Sequence, residues 1–86
     1  MCEPKTYQNI SETNIELIQK ELAEDGHNIT GNNPWDITIK KGPIKIGLKA
    51  TWSNDNETLT IDITKKPMMI GCDMVWNELD KLLQDL

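Results

Sequence analysis

Histidine and cysteine are the side chains of this sequence best suited to act as a base, a nucleophile or a metal ligand. His27 is the only histidine, and Cys2 and Cys72 are the only cysteines. Proton transfer needs a partner held within hydrogen-bond distance of the imidazole, and the sequence nominates none for His27. Cys72 precedes a predicted helix, whose N-terminus lowers the pKa of a thiol. We expect it to be a packing residue instead, because unpaired cysteine is among the most buried residue types.

Carboxylates and short motifs add no catalytic constellation. Two acidic pairs lie close in sequence, Glu24 with Asp25 and Asp55 with Glu57, but each falls at a predicted helix end or loop, where solvated charge is the expected state. The chain has no phosphate-binding glycine loop, no Gly-x-Ser-x-Gly and no zinc-type spacing of cysteine or histidine. We therefore predict a protein that is not an enzyme, with no catalytic residue, no metal site, no cofactor and no structural disulfide.

Tryptophan is the unusual apolar residue of this chain, which contains three tryptophans and no phenylalanine. Trp35 and Trp52 have the parity of inward-facing strand positions, so core packing is their simplest role. The alternative is an apolar pocket for a small ligand between the sheet and the last helix. The residues predicted to line that pocket are Trp52, Met69, Cys72 and Trp76.

Charge is distributed unevenly along the chain. The net charge is -5, yet residues 35–66 carry +2 while residues 1–34 and 67–86 carry -4 and -3. There is no arginine, the side chain best suited to bidentate contact with phosphate. Strand aromatics that point inward also leave none for base stacking. We therefore expect a protein partner and no nucleic acid.

An amphipathic helix is predicted over residues 13–25. Its apolar positions fall three and four residues apart, which places them on one face of a helix. Thr13 with Glu16 has the pattern of a capping box, Ser11 is an equally good alternative start, and Gly26 is suited to closing the helix. The inward-facing residues are Ile15, Ile18 and Leu22.

Alternation of apolar and polar residues then predicts three strands, over residues 35–40, 44–52 and 58–64. Residues 27–34 are rich in turn formers and are expected to form a loop from which Ile29 reaches the core. The short connections make neighbouring strands antiparallel, in the order 1-2-3.

A second amphipathic helix is predicted after Asp73, which is a good N-cap residue. Its apolar stripe comprises Val75, Trp76, Leu79, Leu82, Leu83 and Leu86. Residues 1–86 thus form one α+β domain, a two-layer sandwich with the order α-β-β-β-α. Both helices cover one face of a three-stranded antiparallel meander, and we expect residues 1–10 to form a mobile tail.

The outer face of this sheet is the leading candidate site. Its lysines and threonines surround Gly47, which would leave a shallow dip, and such a face suits an acidic protein surface. The residues predicted to bind a protein are Lys40, Lys45, Gly47, Lys49 and Thr51. Both outer strands would expose an edge, so pairing into a homodimer is a further hypothesis.

Location is inferred from what the sequence lacks. No apolar run approaches the roughly 20 residues of a membrane span, and the first residues do not form a secretion signal. We therefore expect a cytoplasmic protein without a membrane partner.

Overall fold

A computed structural model describes residues 2–84 of the chain. They form an α+β fold with a five-stranded antiparallel sheet and two helices. The elements are β1 (Lys5–Tyr7), α1 (Glu12–Glu24), β2 (Asn28–Gly31), β3 (Trp35–Lys41), β4 (Ile44–Ser53), β5 (Thr58–Lys65) and α2 (Cys72–Gln84). The strand order in the sheet is β1-β5-β4-β3-β2.

The three predicted strands are confirmed as β3, β4 and β5, and they are neighbours in the predicted order. Trp35 lies opposite Ala50, and Ala50 lies opposite Ile61, so one face of three strands is apolar. All three residues are buried. The alternation works here because strand side chains point to opposite faces in turn.

The number of strands is larger than predicted, because short segments extend the meander at both edges. β2 covers β3, with Ile29 opposite Ile37, and β1 covers β5, with Tyr7 opposite Leu59. Within the segment predicted to be a tail, residues 1–10, the described residues include β1 and the buried Ile10. The helix-first order is wrong, since α1 follows β1.

Helix α1 begins one residue before its predicted start. Ser11 is the N-cap: its hydroxyl accepts a hydrogen bond from the Asn14 amide, and the Asn14 side chain accepts one from the Ser11 amide. Ile10 and Ile15 are buried on either side of this cap, the positions of a hydrophobic staple. The helix ends in a Schellman motif around Gly26, whose φ is 82°.

Helix α2 begins at Cys72, so Asp73 lies inside its first turn and is not the cap. Val75 and Leu79 of the predicted stripe are buried. Trp76, Leu82 and Leu83 are half-buried against the same core, and Leu86 lies outside the described residues.

Both helices lie on the apolar face of the sheet. Residues of α1 and α2 together with inward residues of the strands enclose an internal cavity of only about 30 Å³. A cavity of that size holds about one water molecule. The space between the helices and the sheet is therefore filled by side chains.

Candidate functional site

The outer sheet face carries the predicted protein-binding residues, but their charges are partly balanced. Lys49 lies between Asp36 of β3 and Asp62 of β5 in the strand register. Thr51 lies opposite Thr60. This part of the face is polar and carries no excess of positive charge, because Lys49 has an acidic neighbour on each side.

Gly47 does not form the predicted dip. The register shifts between Gly47 and Leu48, so β5 has an extra residue at this point. A Cβ added to Gly47 would lie 3.0 Å from Thr64 Oγ1 and 3.1 Å from Lys65 Cβ. Side chains of the β5 bulge therefore occupy the space over this glycine.

The lysines of the outer face gather at one end of the sheet. Lys40 and Lys45 are directly opposite one another, and Lys65 lies opposite the next outward position of β4. All three are exposed. Like charges placed directly across a strand pair are unfavourable, so this end is suited to an anionic partner.

None of the four predicted pocket residues lines the internal cavity, and Cys72 and Trp76 are neighbours one turn apart in α2. Trp52 lies near the β4–β5 turn, where its indole Nε1 donates to the Ile10 carbonyl at 2.8 Å. Trp76 lies on the β1 side of α2, with Lys5 Nζ 5.8 Å from its ring centroid. Met69 is 84% exposed in the turn before α2.

Cys72 forms a disulfide with Cys2, across a sequence separation of 70. The prediction that the chain has no structural disulfide is therefore wrong. The bond joins the segment before β1 to the first residue of α2. A disulfide-bonded sulfur is neither a free nucleophile nor a thiolate ligand.

An open groove lies at the β3–β4 hairpin end of the sheet. Its volume is about 880 Å³. Helix α1 ends at Glu24, so the inward side of the hairpin beyond it is left partly uncovered between α1 and α2. The floor and walls are formed by apolar residues, including Ile39, Ile44, Ile46, Ile70, Met74 and Leu82.

Charged residues form the rim of the groove. Lys41 Nζ donates to Glu78 Oε1 at 3.0 Å across the opening, and this hydrogen bond lowers the pKa of Glu78. Lys40 and Lys81 also line the groove, as does Asp25 at the end of α1. The groove thus combines an apolar floor with a charged margin, an arrangement common to binding sites.

His27 lies at the groove and has a structural contact. Its Nδ1 accepts a hydrogen bond from the Lys40 amide at 3.0 Å. Lys40 belongs to the part of β3 that extends beyond its pairing with β2. The imidazole therefore accepts a hydrogen bond from a backbone amide that β2 is too short to reach. In this arrangement His27 acts as a hydrogen-bond acceptor for the β3 backbone.

A polar cluster on the other side of α2 holds the helix to β1. Tyr7 Oη donates to Asp80 Oδ1 at 2.8 Å, and Lys5 Nζ is 3.1 Å from the same oxygen. Donation from Tyr7 and from Lys5 lowers the pKa of Asp80. Burial and the bond to Asp80 raise the pKa of Tyr7, so the phenol stays protonated and serves as a donor.

Among residues 2–84, no three histidine, cysteine or acidic side chains are grouped so as to bind a metal ion. Neither of the helices described is long and apolar enough to cross a bilayer. Comparison of the chain with protein-family models, curated proteins and solved structures finds no match.

The groove escaped the sequence-based prediction because it is built from distant segments. Its apolar residues have the same alternation as core residues, so no local pattern separates Ile44 and Ile46 from the buried Leu48. The one available signal was the length of the strands relative to α1. Strand β4 has 10 residues, and an extended strand of that length is longer than the rise of about 20 Å of the 13-residue helix α1. The helix is therefore too short to cover the whole strand.

Proposed function

We propose that this chain is a non-enzymatic protein-interaction module whose groove receives an apolar segment of a partner protein. The observation that carries the proposal is the open groove of about 880 Å³ with half-buried isoleucines on its floor. Apolar surface that the fold itself leaves partly exposed gains free energy when a partner covers it.

The groove supports this role better than the outer sheet face. The outer face lacks the dip expected at Gly47, and Lys49 has acidic neighbours on both sides. A protein remains the proposed class of partner rather than nucleic acid, because the chain has no arginine and Trp35 and Trp52 belong to the helix-covered face.

A small apolar ligand is the second candidate. The volume of the groove lies within the range of roughly 300–1,000 Å³ that is usual for small-molecule sites. Such sites bury most of their ligand, however, whereas this groove is open to solvent along one side. The enclosed cavity of about 30 Å³ is too small for any such ligand.

Self-association is a further proposal with weakened support. The strands predicted to be edges, β3 and β5, are covered by β2 and β1. The new edge strands have 4 and 3 residues, and very short edge strands discourage pairing. Sedimentation equilibrium at high concentration would show a monomer if the groove alone binds partners.

Selection of peptides from a random library against the folded protein tests the groove. We expect the enriched peptides to share apolar positions and to bind a Lys49→Glu variant normally. Met74→Asp should weaken them at least about tenfold, since it places a charge on the groove wall. Leu17→Asp is the matched control, because Leu17 is also an exposed apolar helix residue but lies outside the groove. Binding that Met74→Asp leaves intact would refute the groove as the site.

The disulfide also bears on where the protein works. Disulfides persist in oxidising compartments and are rare in the cytosol. We therefore propose an oxidising compartment instead of the cytoplasm expected from the sequence. Rapid acid quenching followed by thiol alkylation and mass spectrometry of the native protein decides this, because full alkylation of Cys2 and Cys72 would place it in a reducing compartment.

A further inference from the structure

We propose that the segment received by the groove is an acidic amphipathic α-helix. This inference rests on the proposed function, since it names the partner of the same groove. It depends on three independent features of the described residues: the absence of a free strand donor at Lys40, a methionine lip, and a concentration of lysines at the groove end of the sheet.

A helix fits the groove better than an extended segment. An extended peptide gains affinity mainly by joining the ladder of an exposed strand. The amide of Lys40, where β3 runs past β2, already donates to His27 Nδ1. The floor presents side chains such as Ile44 and Ile46. A helix satisfies its own backbone groups and needs only such a side-chain surface.

The methionine lip provides an adaptable apolar contact. It consists of Met68, Met69 and Met74, which are 99%, 84% and 56% exposed. Met74 and the neighbouring Ile70 line the groove itself, so the lip continues its apolar surface outward. Methionine is unbranched and polarizable, and it is common on surfaces that bind amphipathic helices.

The turn that carries the lip is held in shape by the chain around it. The Ile70 amide donates to the Pro67 carbonyl at 3.1 Å, and Lys66 Nζ donates to the Ile70 carbonyl at 2.7 Å. Two residues further on, Cys72 is fixed by its disulfide. The exposed methionines are therefore presented on an ordered base, which lowers the entropy lost on binding.

The lysines determine the charge of the partner. The chain has nine lysines and a net charge of -5, but six of the nine belong to the groove end. Three of the six, Lys40, Lys41 and Lys81, line the groove itself, whereas Lys45 and Lys65 lie at the same end on the outer face of the sheet and Lys66 follows β5. The acidic residues lining the groove are Asp25 and Glu78, and Glu78 is paired with Lys41, so the lining has three lysines against two acids. A partner helix with acidic residues beside its apolar stripe is complementary to this end.

Three peptides of about 14 residues provide the test. Such a helix spans about 21 Å, comparable with the 24 Å smallest extent of the molecule. The first peptide has leucine at helical spacing and glutamate elsewhere. The second has lysine in place of glutamate, and the third has the first peptide's composition with strict leucine–glutamate alternation. Amide chemical shifts and fluorescence anisotropy measure their binding to the intact, oxidised protein.

We expect the first peptide to bind at least about tenfold more tightly than the other two. Its effects should centre on Ile44 and Met74, and binding should weaken about fivefold or more when Lys40 and Lys81 are both changed to Glu. Lys20→Glu is the control, because Lys20 is an exposed lysine of α1 outside the groove. Circular dichroism of each variant verifies that the fold is retained.

Other outcomes separate this inference from the proposed function. If the lysine peptide or the alternating peptide binds best and its shifts map to the groove, the acidic helix is refuted while the groove stands. If none of the three peptides shifts the amide signals of the groove at millimolar concentration, the acidic helix is overturned. The peptide selection with the Met74→Asp variant then decides separately whether the groove is a binding site. The protein could instead bind none of the peptides and sediment together with phosphatidylcholine–phosphatidylglycerol vesicles. That result would overturn the acidic helix and assign the methionine lip and the lysines to a lipid surface.

Discussion

Removal of the disulfide is the perturbation with the largest expected effect on this fold. The bond closes a loop with a sequence separation of 70. In the chain-entropy account, closing such a loop in the unfolded state is worth about 4.4 kcal/mol at 25 °C. A domain of 86 residues is stable by roughly 4–13 kcal/mol. Losing the bond should therefore remove a large part of the free energy of unfolding.

Urea denaturation of the oxidised protein and of a Cys2→Ser/Cys72→Ser variant measures this loss. We expect the free energy of unfolding to fall by about 3–4 kcal/mol, which for a domain of this size corresponds to a melting temperature lower by roughly 12–30 °C. Reductant should lower the stability of the natural chain to that of the variant and leave the variant unchanged. A single Cys2→Ser substitution should behave like the double one.

The reasoning would be refuted by a variant within about 1 kcal/mol of the oxidised protein, since the closed loop would then constrain nothing. Hydrogen exchange adds a local criterion. Strand β1 has only 3 residues and lies between the disulfide and Ile10, so its amides should exchange much faster in the variant. Unchanged exchange at Lys5 and Tyr7 would show that the sheet alone holds this edge.

Four smaller predictions test individual contacts. Because the pKa of Tyr7 is raised, its contribution to stability is complete below about pH 10 and declines above it; Tyr7→Phe should flatten that decline in alkaline thermal melts. Because the pKa of Asp80 is lowered, Asp80→Asn should remove stability at neutral pH and reduce the loss seen below about pH 4. Gly47→Ala should cost about 1–3 kcal/mol in urea denaturation, since its Cβ would lie 3.0–3.1 Å from two β5 side chains, whereas Gly71→Ala, with no atom within 4 Å, should cost less. Ser11→Ala should cost about 1 kcal/mol through loss of the cap.

The central strands could be predicted because each is long enough to display a period of two. β3, β4 and β5 have 7, 10 and 8 residues, and their inward positions from Trp35 to Ile63 are almost all aliphatic or aromatic. β1 and β2 have 3 and 4 residues, which is too few for alternation to be distinguished from chance. Their position is fixed by pairing with β5 and β3, which is a tertiary effect.

The disulfide and the groove escaped prediction for a related reason. Cys2 and Cys72 carry no local signal of pairing, because only the closure of β1 onto β5 brings the two ends of the chain together. The predicted pocket contained Trp52 and Trp76. The hydrophobicity of these side chains indicates that they are buried, but it does not indicate that a cavity lies beside them. Whether a groove stays open depends on where the neighbouring helix ends. Helix α1 ends at Glu24 and does not reach the end of the β3–β4 hairpin, so the groove is left open there.

Helix α2 is held by contacts that do not use the apolar floor of the groove. The helix is fixed at its first residue by the disulfide, at Asp80 by Tyr7 and Lys5, and at Glu78 by Lys41. Without these contacts, α2 could shift towards the uncovered isoleucines and bury them, since apolar burial is favourable. If the groove receives a partner segment as proposed, these contacts keep its apolar surface exposed, and a groove that is formed before binding costs less to fill. It follows that weakening the hold on α2 should reduce peptide affinity even where no groove residue is changed, with the reduced protein showing the largest loss.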